Sequence, residues 1–177
     1  MTVKREKKII YCFDANAFIY LGFIENHIIK LPKGLWDHLA EMMADGKIIS
    51  HKIVFDEICY KGGKSDFVSQ WLQGKENSFI GTSATQISKV PEILKNFPDL
   101  IDPSREREQA DPWLVALALE KANEGNLFYI NMPIVVTHEN KQSNKKIPAA
   151  CKHFGISCQS LRDFFHENDI TISLTNN

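Results

Sequence analysis

Four acidic residues stand where a chain of this kind could use them for chemistry: Asp14, Glu57, Asp111 and Glu139. Asp14 directly follows the apolar run Ile9-Ile10-Tyr11-Cys12-Phe13, which reads as a strand covered on both faces. Glu57 lies within Val54 to Tyr60, a helix expected after a short second strand at Lys47 to Ser50. Asp111-Pro112 has the form of a helix start, with Asp at the N-cap and Pro at the first helical position. The residues that follow, Trp113 to Ala122, are apolar almost all round, so that helix is expected to be buried. Glu139 comes just after the second clear buried strand, Pro133 to Thr137. In open parallel sheets, polar groups at the carboxyl ends of the strands meet where the strand order reverses. Carboxylates that converge there repel one another unless a cation joins them. A donor set of hard oxygens suits Mg²⁺ or Mn²⁺. Taken singly, each acid has a plainer reading: Asp14 and Asp111 as helix caps, Glu57 as a surface helix acid, Glu139 as a loop acid. The signal lies in the order and context of all four.

The elements that must position these acids can be read along the chain. Ala17 to Phe23 is expected to be helical, and Trp36, Leu39, Ala40 and Met43 recur at helical spacing up to Asp45-Gly46. Further helices are expected at Asp66 to Gln73, Ser88 to Asn96, Pro148 to Phe154 and Leu161 to Glu167. Short strands are expected at Ile156 to Cys158 and at Ile170 to Leu174, with a polar connection from Pro98 to Gln109. Strands alternating with helices predict an α/β fold, a three-layer α/β/α sandwich with a mainly parallel central sheet. A length of 177 residues suits one domain spanning 1–177.

Composition narrows the function classes. With 21 Lys plus Arg against 22 Asp plus Glu, the net charge of -1 argues against a simple basic nucleic-acid coat protein. No apolar run approaches the ~20 residues of a membrane span. The five apolar residues after the basic start are too few for a secretory leader, which needs roughly 7–15. The four cysteines, Cys12, Cys59, Cys151 and Cys158, form no C-x-x-C pair and read as reduced thiols of a cytoplasmic protein. The six histidines show no metal-ligand spacing, and only His138 neighbours the acids. Tyr20, Trp71 and Trp113 read as core residues.

Four segments in this order resemble the PIN-domain ribonucleases, including the VapC-like toxins of toxin–antitoxin pairs. Tyr11-Cys12-Phe13-Asp14-Ala15-Asn16-Ala17-Phe18-Ile19 is similar to that family's opening strand and Asp-x-Asn turn. Val54-Phe55-Asp56-Glu57-Ile58 resembles the helix with the second acid. Ala110 to Ala118 resembles the segment with the third, and Val135-Val136-Thr137-His138-Glu139 the strand end with the fourth. Glu139 stands where that family usually has Asp, and the segment from Asn140 to Cys151 departs from its pattern. The resemblance implies a PIN-like fold and a metal-dependent endoribonuclease, hydrolysing RNA phosphodiester bonds with Mg²⁺ or Mn²⁺ held by Asp14, Glu57 and Asp111, and Glu139 assisting. Its products would carry a 5′-phosphate and a 3′-hydroxyl. Asn16 and Thr137 would hold Asp14 and Glu139 in place. A cognate antitoxin protein and a homodimer are the partners it implies.

RNA phosphates need basic surface to offset the acids. Lys141, Lys145, Lys146 and Lys152 are the candidates beside the last motif, and Lys4, Arg5, Lys7 and Lys8 at the start. Arg105 and Arg107 alternate with Glu106 and Glu108 and read as a neutralised, solvated face. Two other readings remain: a catalytically weak PIN-like module that binds a protein partner, and a different Mg²⁺-dependent phosphohydrolase. The second commonly needs an Asp two residues after its nucleophilic Asp, where this chain has Asn16.

Overall fold

The structure is a computed structural model that describes residues 5–28, 30–61, 66–139 and 145–171. Its centre is a five-stranded sheet, all of whose pairings are parallel. In chain order the strands are β1 (Glu6–Phe13), β2 (Ile48–His51), β3 (Phe79–Ile80), β4 (Tyr129–Thr137) and β5 (Ser157–Ser160). Their spatial order is β3-β2-β1-β4-β5, so the direction of winding reverses between β1 and β4.

Helices cover both faces, because the inner half of β1 is buried on both sides. Tyr11 and Phe13 face one layer and Ile10 and Cys12 the other. The first layer contains α1 (Ala15–Phe23), α2 (Lys33–Ala44), α3 (Lys52–Lys61), α4 (Phe67–Leu72) and α8 (Leu161–Glu167). Its core is aromatic: the Phe13 ring lies 4.9 Å from Phe164 and 5.2 Å from Phe18. The second layer contains α5 (Ala84–Asn96), α6 (Ala110–Asn123) and α7 (Ile147–His153). Leu114 to Ala118 of α6 are wholly buried between the sheet and α5. The fold is therefore a three-layer α/β/α sandwich. No helix among the described residues is long and apolar enough to cross a membrane.

Several boundaries differ from those expected. β4 begins at Tyr129, four residues before Pro133, because its first half pairs with β1 alone. β5 joins only from Ile134 onward, so Pro133 sits where one side of β4 is an open edge that tolerates a missing N–H. α5 begins at Ala84, capped by the Ser83 hydroxyl, and continues through Pro91. α6 begins at Ala110 with Gln109 as its N-cap, which puts Asp111 inside the first turn rather than at the cap. Ile170 and Thr171 are not in a strand, and the rest of the last expected strand lies outside the described residues.

Candidate functional site

The reversal between β1 and β4 opens a cleft of about 600 Å³ at the carboxyl ends of those strands. Asp14, Glu57, Asp111 and Glu139 all line it, brought there by β1, α3, the first turn of α6 and the end of β4. Asn16 lines it too, from the exposed side of α1.

Asp14 has no exposed surface. It is the residue before α1, yet its carboxylate makes no cap hydrogen bond to that helix. Instead its Oδ2 accepts from the Thr137 hydroxyl at 2.7 Å. Its Oδ1 is buried with no hydrogen-bond partner. Thr137 also accepts the Glu139 N–H at 3.1 Å, so one hydroxyl sets the positions of both acids. Glu139 Oε2 accepts from the Ile147 N–H at 3.0 Å, which ties the end of β4 to the start of α7. No hydrogen bond joins Asn16 to Asp14 among the described residues. Asn16 thus lines the cleft without a hydrogen bond to the acid.

Burial pushes the Asp14 carboxyl up to about 6. The Thr137 hydroxyl opposes that rise, as does the dipole of the adjacent Ala15 N–H without making a well-formed hydrogen bond, while the charges of Glu139 and Glu57 add to it. Asp111 is pushed up to about 8, first by burial and then by the charges of Asp14, Glu139 and Glu57. Lys146, on the cleft wall, pulls it partly back. The four acids are thus within electrostatic reach of one another, and Asp14 and Asp111 hold their protons to a higher pH than free carboxylates do.

Whether these residues suit a divalent cation turns on two observations. No three His, Cys, Asp or Glu side chains among the described residues form a ready ligand cluster. The buried Oδ1 of Asp14 is nevertheless a carboxylate oxygen without a hydrogen-bond partner. Mg²⁺ keeps several waters and is held by one or two carboxylates together with substrate phosphate, so it needs no closed protein cage. The donor chemistry fits such an ion.

Sequence reasoning passed over the opposite wall. Arg105 is solvated and paired with an acid, as expected, its Nε 3.3 Å from Asp102, and it also lines the cleft. Gln109 clasps that loop shut: its side chain accepts from the Asp102 N–H and donates to the Asp102 carbonyl, both at 2.8 Å. Asp66, the N-cap of α4, and Asp99 complete the rim. The polar connection from Pro98 carries no periodicity that would have marked it. Of the basic candidates, Lys146 lines the cleft, Lys145 pairs with Asp99 at 3.3 Å, and Lys152 is exposed on α7 away from it. Lys4 and Lys141 lie outside the described residues. Tyr20, read as core, is half-buried and lies against His138.

A family model described as "Domain of unknown function (DUF4411)" matches residues 11–172. No curated protein matches the chain. Among solved structures, it is similar to a chain of "Crystal structure of VapBC2 from Rickettsia felis bound to a DNA fragment from their promoter". Identity is 18%, the TM-score is 0.48, and the match covers 85% of this chain and 98% of the other.

Proposed function

The chain belongs to the DUF4411 domain family, whose description assigns no activity, and from the site itself we propose that it is a metal-dependent endoribonuclease. One observation carries the reading: a wholly buried carboxylate, Asp14, stands at the strand-order reversal with one oxygen unpartnered and three further acids around it. Such a cluster is costly without a cation and is difficult to account for as packing. The resemblance of the four acid-bearing segments to PIN-domain ribonucleases supports the same reading. It extends it to the toxin of a toxin–antitoxin pair, with an antitoxin protein as partner, a homodimer as the assembly and the cytoplasm as its place.

In this reading Asp14, Glu57 and Asp111 would hold Mg²⁺ or Mn²⁺, with Glu139 assisting. The bound ion would lower the pKa of a water and offset charge on the scissile phosphate. The chain's own groups do the rest. Thr137 fixes the Asp14 carboxylate and the Glu139 backbone. The Ile147 N–H orients Glu139. Lys146 and Arg105 offer positive charge at the cleft walls, where an incoming phosphate passes. Burial keeps Asp14 out of bulk water, so the charge that binds there is felt strongly.

Purified protein with Mg²⁺ or Mn²⁺ is expected to cut single-stranded RNA, and Asp14→Asn to reduce cutting at least ~100-fold, since it removes a direct metal-binding charge. Equal rates for the two proteins would overturn the proposal. A second reading, a protein-binding module of the same fold, draws on the absence of a ready three-acid cluster among the described residues. Calorimetric titration with Mn²⁺ decides between them: heat that disappears in Asp14→Asn favours the nuclease, and no heat favours the module.

A further inference from the structure

We propose that the stacked rings of Tyr20 and His138 form a subsite for one unpaired base of single-stranded RNA, beside the acidic cleft. The identity of the ligand rests on the nuclease reading; the shape of the subsite does not. The His138 ring lies on the Tyr20 ring with centroids 3.6 Å apart and planes 12° apart. Tyr20 is half-buried and anchored on α1, whereas His138 is exposed at the end of β4. Phe23, three residues on along the same helix face, is 49% exposed and lies 15° from the Tyr20 plane. Three nearly parallel rings thus make a ledge on the surface.

A hollow of about 360 Å³ lies along this ledge. Asn16, Ile19 and Glu139 line both this hollow and the acidic cleft, so the ledge and the acids border one continuous depression. Tyr20 and His138 also line a larger hollow, about 790 Å³, that places Arg162 and His166 beside Leu161 and Phe165. Flat aromatic walls, the Asn16 amide at one end and the Arg162 guanidinium at the other, beside Asp169, match a nucleotide, with its planar base, polar edge and anionic backbone. Sequence-reading of RNA by proteins relies on such splayed bases stacked on aromatic rings. Since stacking accepts any base face, the ledge would grip the strand while the acids, which repel phosphate, act beside it.

The test is fluorescence anisotropy of a short labelled single-stranded RNA on the full chain in Ca²⁺, with the RNA shown intact afterwards. A series of RNAs carries one abasic site at each position in turn. The expected result is one position whose abasic form binds roughly tenfold more weakly or worse. His138→Ala is expected to weaken the intact RNA by a similar factor and to add nothing on that abasic RNA, while His138→Phe restores binding. In NMR spectra the His138 ring protons should shift upfield on RNA addition, and those of His153, which packs on Phe97 in the other layer, should not. A flat abasic scan, wild-type affinity in His138→Ala, or a loss equal on intact and abasic RNA would each overturn the proposal. A flat scan is also the outcome if the ledge docks a protein. Failure of wild-type cleavage in Mg²⁺ bears on the nuclease reading alone.

Discussion

Asp14 and Asp111 are held in the fold at the expense of its stability. Both carboxyls are raised from an ordinary value of 3.8, to about 6 and about 8. A group that binds its proton more tightly in the folded state loses stability as pH rises, starting above the unfolded value and ending near the folded one. For Asp111 that window runs from about 4 to about 8. Asp111→Asn removes the charge, so the metal-free variant is expected to melt at a higher temperature than the wild type. The gap should widen from about pH 4 and level off above about pH 8, read by thermal denaturation in EDTA. A constant gap would mean that the charge of Asp111 is not the cause. His51 acts in the other direction: buried against Gln86, its ring is pushed below its usual value. It therefore disfavours folding only at low pH, and comparing variant with wild type cancels its effect. Bound cation replaces the proton at the acids, so its stabilising effect is expected to grow over the same rise in pH.

At the scale of elements, the cleft depends on how closely α1 and α4 approach. A Cβ on Gly22 would lie 2.5 Å from Val68 Cγ2 of α4, a contact that the stiff, buried valine cannot relieve by turning away. Gly22→Ala is expected to destabilise the protein by about 1–3 kcal/mol, as a forced overpacking does. Urea denaturation measures this, and an unchanged midpoint would refute the close packing of the two helices. The elements also show which parts of the fold could be read from the chain alone. Buried strands such as Ile10 to Phe13 announce themselves as apolar runs, and Gly46, with φ 68°, closes α2 where the Asp-Gly pair placed its end. β3 escaped because two residues, Phe79 and Ile80, carry no period. The start of α5 escaped because Pro91, a residue that usually breaks a helix, lies inside it. Asp14 and Glu139 were legible as residues at strand ends, and Glu57 and Asp111 as helix acids, but the cleft-side place of Arg105 and the Tyr20–His138 pair were not. Their places come from segments that meet only in the folded sheet.

For the whole molecule, the net charge of -1 is the sum of separated local fields. Acids gather in the cleft, while Arg105 and Lys146 stand on its walls. RNA cutting by the proposed nuclease is therefore expected to require divalent cation and to fall as salt is raised, because phosphate contacts release counterions. Rates that survive EDTA, or that do not change between low and moderate salt, would contradict that arrangement. The hydrogen bond from Thr137 to Asp14 joins residues 123 positions apart, across the strand pair β1·β4 at the middle of the sheet. Asp14 leaves the ribosome 123 residues ahead of its partner. A nascent chain thus carries the first acid long before anything can brace it. A chain cut short before the end of β4 lacks Thr137 and Glu139, and with them the brace on Asp14.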